Sequence, residues 1–132
     1  MERSTELLER VLAGFEAFSS GDVSLVDRDT SRHKGVRLIG TDPDEWFEGE
    51  QAAEVLKQEV QDTTDIGGSP RGLDAFVEGT VGWVSGRVMW TLGDEREIPT
   101  RWTAVIHPED GEWKMVQAHT SVGVPNQELF GA

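Results

Sequence analysis

The chain has 132 residues and no cysteine, a length that suits one domain able to bury a core without a disulfide or metal staple. The missing cysteines exclude disulfides, thiolate catalysis and cysteine-ligated zinc together. Twenty-five acids against 12 bases leave a net charge of −13, a field that repels phosphate backbones and argues against nucleic acid as a partner.

The N-terminus, MERSTELLERVLAGF, is charged from residue 2 and periodic like a helix, so it does not read as a signal peptide. Ser4 or Thr5 is placed to cap that helix. Leu7, Leu8, Val11, Leu12, Phe15 and Phe18 form its apolar stripe, and Gly21 its stop. Asp22 then caps a short second helix through about Asp27, followed by a polar turn over 28–35. Val36–Ile39 reads as a short strand, and TDPDEW as a turn punctuated by Pro43. Glu50–Asp62 reads as a third helix that buries Ala52, Ala53, Val55, Leu56 and Val60. Ile66–Pro70, IGGSP, is a loop by composition.

From Arg71 the period changes to two, giving strands over Leu73–Glu78, Thr80–Leu92, Glu97–His107 and Trp113–Val122. Gly93–Glu95 and Glu109–Gly111 supply hairpin loops. Trp83 and Trp90 have opposite parity, which a bulge near Gly86 would reconcile. Helices first and a strand meander after them predict an α+β domain over 1–124, with a short tail over 125–132. No apolar run approaches the ~20 residues of a membrane span. A cytoplasmic protein with no membrane partner is expected. The low lysine count, three of the 12 bases, together with high acid content suits a salt-adapted organism or a GC-rich genome.

No dinucleotide or Walker loop is present, DPDE makes no calcium loop, and the three histidines are too scattered for a zinc site. Seven residues stand out, and three of them, Arg101, His119 and Trp46, carry a structural alternative. Arg101, mid-strand in RWTAV, is either a pocket base for an acidic ligand or half of an ion pair with Glu97 or a cross-strand acid. His119, in an apolar strand, is a candidate general acid or base, or a core or dimer-face histidine; Ser121 shares its face, and Thr120 lies on the other. Trp46 is a pocket lip or a plug between the turn and the third helix. Asp42 reads as a turn acid and Asp74 as a runner-up catalytic carboxylate.

The segments IGTDPDEWFEG (39–49), RWTAV (101–105) and GEWKMVQAHTSVGV (111–124) resemble the SnoaL-like branch of the nuclear transport factor two superfamily. That resemblance implies a curved antiparallel sheet forming a half-open cone, with three N-terminal helices closing one side. It further implies a pocket in the cone for an apolar or weakly acidic small molecule. Chemistry there would be cofactor-free proton transfer, with His119 or Asp74 as base and Arg101 holding developing negative charge. Trp46, Thr120 and Ser121 would complete the ligand contacts. Among relatives of that kind, the phenolic donor of ketosteroid isomerase is missing, since the chain has no tyrosine; scytalone dehydratase also depends on tyrosines. Arg101 with Asp42 and Asp74 matches the composition of the limonene epoxide hydrolase set. The rival expectation is a non-catalytic binding or dimerisation module resembling the calmodulin-dependent kinase association domain, and a third is a partner-regulated accessory subunit. Tryptophans of both parities suggest two apolar sheet faces, only one of which three helices can cover, so a homodimer is expected.

Overall fold

The computed structural model describes residues 1–62 and 65–131; Ala132, the end of the expected tail, lies outside them. A two-residue strand, β1 (Glu2–Arg3), leads into α1 (Thr5–Ser20). Ser4 caps that helix by accepting the Leu7 N–H at 3.1 Å, and Gly21 ends it at φ 76°, a conformation that side chains with a Cβ rarely adopt. A second helix, α2 (Ser24–Asp29), is anchored by the Asp22 carboxylate, which accepts from both the backbone N–H and the hydroxyl of Ser24. Then come β2 (Arg37–Ile39), β3 (Trp46–Glu48) and α3 (Glu50–Asp62). The long strands follow: β4 (Gly67–Glu78), β5 (Val81–Thr91), β6 (Glu97–Glu109) and β7 (Glu112–Ser121), and after them the short helix α4 (Asn126–Phe130).

The seven strands of the described residues join one unclosed sheet in the order β1-β4-β5-β6-β7-β2-β3, antiparallel except where β2 runs parallel to β7. One face packs against α1, whose Leu7 is fully buried with Val84, Val88, Ala104 and Ala118. This is the α+β architecture of a curved sheet with helices on one side. No helix among the described residues is long and apolar enough to cross a membrane.

Three local readings change. Gly67–Pro70 is strand rather than loop: a Cβ at Gly68 would lie 2.9 Å from the Trp90 ring, so the glycine makes room for an indole instead of a turn. The expected turn through Trp46 ends in a strand, β3, paired with β2 through Leu38 and Phe47. The bulge lies on β4, between Arg71 and Asp74, while β5 keeps unbroken register with β6. Gly86 sits opposite that bulge because a Cβ there would collide with Leu73. Trp83 and Trp90 therefore stay on opposite faces, Trp83 stacked on Phe76 outside and Trp90 against Phe18 inside.

Candidate functional site

Between the sheet and the helices α1, α2 and α3 lies a cavity of about 580 Å³, within the range of small-molecule sites. Strand alternation supplies one wall. Ile98, Thr100, Trp102 and Ile106 of β6 face in, as do Met115, Ala118 and Thr120 of β7. Helix α1 supplies the other with Val11, Phe15 and Phe18. Phe15 meets Trp102 edge-on at 4.9 Å, and Phe18 meets Trp90 at 5.3 Å. Thr100 brings no free O–H donor to this wall, because its Oγ1 donates to the Val88 carbonyl at 2.8 Å. Leu92, Ile98, Val122 and the turn through Thr41 and Glu45 border the cavity at one end of the sheet.

The apolar lining is interrupted by a few ionisable groups. Glu59 of α3 stands on the wall, and its burial, with the nearby Glu45 carboxylate, pushes its pKa up to about 6. Glu45 is held across its turn by the Asp42 N–H, which donates to its Oε1 at 2.8 Å; a Cβ on Gly40 would come within 2.8 Å of that carboxyl group. On the helical side lie Arg10, Asp22 and Asp29. Arg10 reaches Glu112 and Asp29, each at 2.8 Å; the contact with Asp29 is an ion pair without hydrogen-bond alignment. The two hydrogen bonds from Ser24 hold the Asp22 carboxyl below its usual range.

The residues that the sequence singles out divide between the two faces. Thr120 lines the cavity. Arg101, His119 and Ser121 share the opposite, outer face, because they alternate with Trp102 and Thr120, which face in. There Arg101 donates from Nε to the Ser121 hydroxyl at 3.2 Å, with His119 diagonal to it on the neighbouring strand. Asp74 is exposed and accepts from Arg3 at 2.6 Å, well apart from His119 across two intervening strands. Trp46 is 58% exposed, with its indole N–H donating to Glu48; its neighbour Phe47 is the one that turns into the cavity. Asp42 serves its own turn, accepting the Asp44 N–H at 2.9 Å. The geometry thus brings Arg101, His119 and Ser121 together, but outside the cavity.

A model of the SnoaL-like domain matches residues 8–125, nearly the whole of the folded chain. The chain belongs to the SnoaL-like family. Solved structures share the fold of this SnoaL-like chain at low identity. A nuclear transport factor 2-like protein of unknown function from Pseudomonas putida is 14% identical, with a TM-score of 0.79 over 96% of this chain and 94% of that one. A proposed ketosteroid isomerase from Shewanella frigidimarina is 15% identical, with a TM-score of 0.68 over 86% and 92%. A proposed calcium/calmodulin-dependent kinase II association domain from Xanthomonas campestris is 16% identical, with a TM-score of 0.68 over 92% and 89%. Comparison with curated proteins returns no match.

The residue that sequence reasoning passed over in this SnoaL-like domain is Glu59. Its signal is helical spacing: it follows Leu56 by three positions and Val55 by four and precedes Val60, so it falls inside the apolar stripe. An acid in that stripe is a buried carboxyl unless the helix end lifts it to solvent.

Proposed function

We propose that this SnoaL-like protein binds an apolar small molecule in its cavity and transfers protons there without a cofactor, Glu59 acting as the acid–base group and Thr120 as a polar contact. The observation that carries this reading is a carboxyl with a pKa of about 6 on the wall of an otherwise apolar space. Such a group is divided between its two forms near pH 6 and mostly ionised at pH 7, so it takes a proton from a carbon acid and returns it to a neighbouring atom. The fold shared with the Shewanella protein supports the isomerase-like side of the reading. His119 and Asp74 have no part in this scheme, because neither lines the cavity.

Incubation in D₂O with neutral and amine-bearing apolar ketones, followed by mass spectrometry, tests it. Deuterium should enter the carbon next to the carbonyl faster than in buffer. The rate should climb as pH passes about 6 and Glu59 ionises, and Glu59→Gln should abolish the gain. Equal exchange with both proteins overturns the assignment. Binding without exchange favours the second reading, a non-catalytic binding module.

We further infer a homodimer formed through the outer sheet face. The helices leave that face uncovered, and it carries Trp83 stacked on Phe76 beside half-buried Met89 and Val105. Arg71, Arg87 and Arg101 lie in register across β4, β5 and β6 on the same face, an alignment of like charges that acids of a second subunit would relieve. Tryptophan, methionine and arginine are the residue types enriched in protein interfaces. Light scattering should give about twice the 14.6 kDa chain mass; a monomer at micromolar concentration refutes this part.

A further inference from the structure

We propose that the ligand of the cavity is an organic cation, an apolar ring system carrying a protonated amine or a quaternary ammonium group. The inference rests on the cavity reading above and narrows its ligand class. It departs from the weakly acidic ligand that the sequence suggests, because Arg101, the base meant to hold an anion, stands on the outer face.

The charged groups on the cavity wall, among the described residues, are Arg10 from α1, Asp22 from the turn after it, Asp29 from α2, Glu45 from the β2–β3 turn and Glu59 from α3. One cation thus faces four acids, of which Asp29 is itself paired with Arg10 and Arg28. The charge of Arg10 is already engaged by Asp29 and by Glu112, each at 2.8 Å. An anionic ligand would enter an apolar space next to carboxylates with no uncommitted base on the wall, and desolvation makes that arrangement very costly. A cation meets the reverse situation. Glu45 and Glu59 lie close enough for the charge of one to raise the proton affinity of the other, and a positive group between them removes that repulsion. Asp22 lines the same cavity from the turn after α1, its carboxylate held by Ser24. The Gly21–Asp22 corner lies against α3, where a Cβ on Gly21 would sit 4.0 Å from the Val60 carbonyl, one residue beyond Glu59.

The apolar wall suits the same ligand. Phe15 and Phe18 meet Trp102 and Trp90 along α1, and aromatic faces attract ammonium groups while their bulk covers the ring system. At longer range a net charge of −13 draws cations toward the mouth and repels anions. Charge, lining and long-range field agree on the sign of the ligand.

Three probes of one shape separate the possibilities: adamantylmethylamine, adamantanemethanol and adamantanecarboxylate, titrated calorimetrically and by the emission of the cavity tryptophans Trp90, Trp102 and Trp113. At pH 7.5 the amine should bind about tenfold tighter than the alcohol, with the carboxylate weakest. Glu59→Gln should remove most of the amine's advantage over the alcohol, and circular dichroism reports whether the variant is folded. Near pH 6 the amine should drive up to about half a proton from Glu59 into the buffer, visible in buffers of different ionisation enthalpy; Glu45, Asp22, Asp29 and Arg10 are the other charged groups facing it. Alcohol or carboxylate binding as tightly as the amine overturns the proposal while leaving the cavity reading intact. If none of the three binds and tryptophan emission stays unchanged, the cavity reading fails and takes the proposal with it. Should the variant not fold, the order of the three probes on the native protein decides.

Discussion

Replacing Glu59 by Gln measures what the fold spends on holding an acid against the cavity. An unperturbed glutamate titrates at 4.5, and in the folded protein Glu59 titrates at about 6. The folded state therefore binds the proton more tightly than the unfolded chain. For an acid with a raised pKa, the neutral form carries no penalty below pH 4.5; stability falls as pH rises from there through 6, and the full cost is present above. The step from 4.5 to about 6 corresponds to about 2 kcal/mol for a fully enclosed group. Glu59 is only half-buried, and solvent screening brings this to about 1 kcal/mol. Glutamine has the same shape and keeps hydrogen-bonding groups at its end, but it has no charge to desolvate. At pH 7.5 the variant should therefore be the more stable protein by about 1 kcal/mol, or about 4 °C in Tm for a domain of this size. At pH 4 the two should melt together. Circular dichroism melts at several pH values between 4 and 8 provide the comparison, and differences between the two proteins cancel the titration of carboxylates they share, Asp22 and Asp27 among them. A variant that melts lower at pH 7.5, or a gap that does not change with pH, would refute the argument that burial and the Glu45 charge perturb this group.

Leu7→Ala should cost about 3 kcal/mol in urea denaturation, because Leu7 is fully buried and seated between α1 and the sheet, where a cavity cannot collapse; a loss under 1 kcal/mol would mean that the helix shifts to fill it. Arg101→Gln and His119→Ala should leave adamantane-probe binding in the cavity within twofold of the native value, since both side chains project from the outer face; a tenfold change would place the site there instead. Sodium chloride should raise Tm between low and physiological ionic strength, as screening over ~8 Å weakens the repulsion among the 13 excess negative charges; a steady fall in Tm would show that the ion pairs, such as those of Arg32 with Asp27 and Glu54, outweigh it.

Local rules were enough for much of this protein. A cap at Ser4 or Thr5, the stop at Gly21 and the bounds Glu50–Asp62 of α3 follow from near-neighbour hydrogen bonding and from apolar side chains recurring at helical spacing, and the structure selects Ser4. The change to a period of two announces the four long strands, and Asp110 and Gly111 lie at the β6–β7 turn with positive φ, as a hairpin there requires. The segments around Trp46, Arg101 and His119 were distinctive enough to point to the family. What they left open was facing. Both sides of β7 are half-apolar, so alternation groups His119 with Ser121 and Ala118 with Thr120 without saying which pair turns toward the helices. The direction of curl and the packing of α1 against Ala104 and Ala118 decide it, through contacts between residues about a hundred positions apart. The bulge belongs to β4 for a similar reason: it is a property of the pair of strands, set where Leu73 crowds Gly86. Glu59 lies at the same limit. Helical spacing places it on the buried side of α3, but its altered proton affinity comes from the space enclosed by the sheet and from Glu45, 14 residues earlier across a turn. Electrostatic environment depends on what surrounds a group in three dimensions, and only the tertiary structure assembles that surrounding.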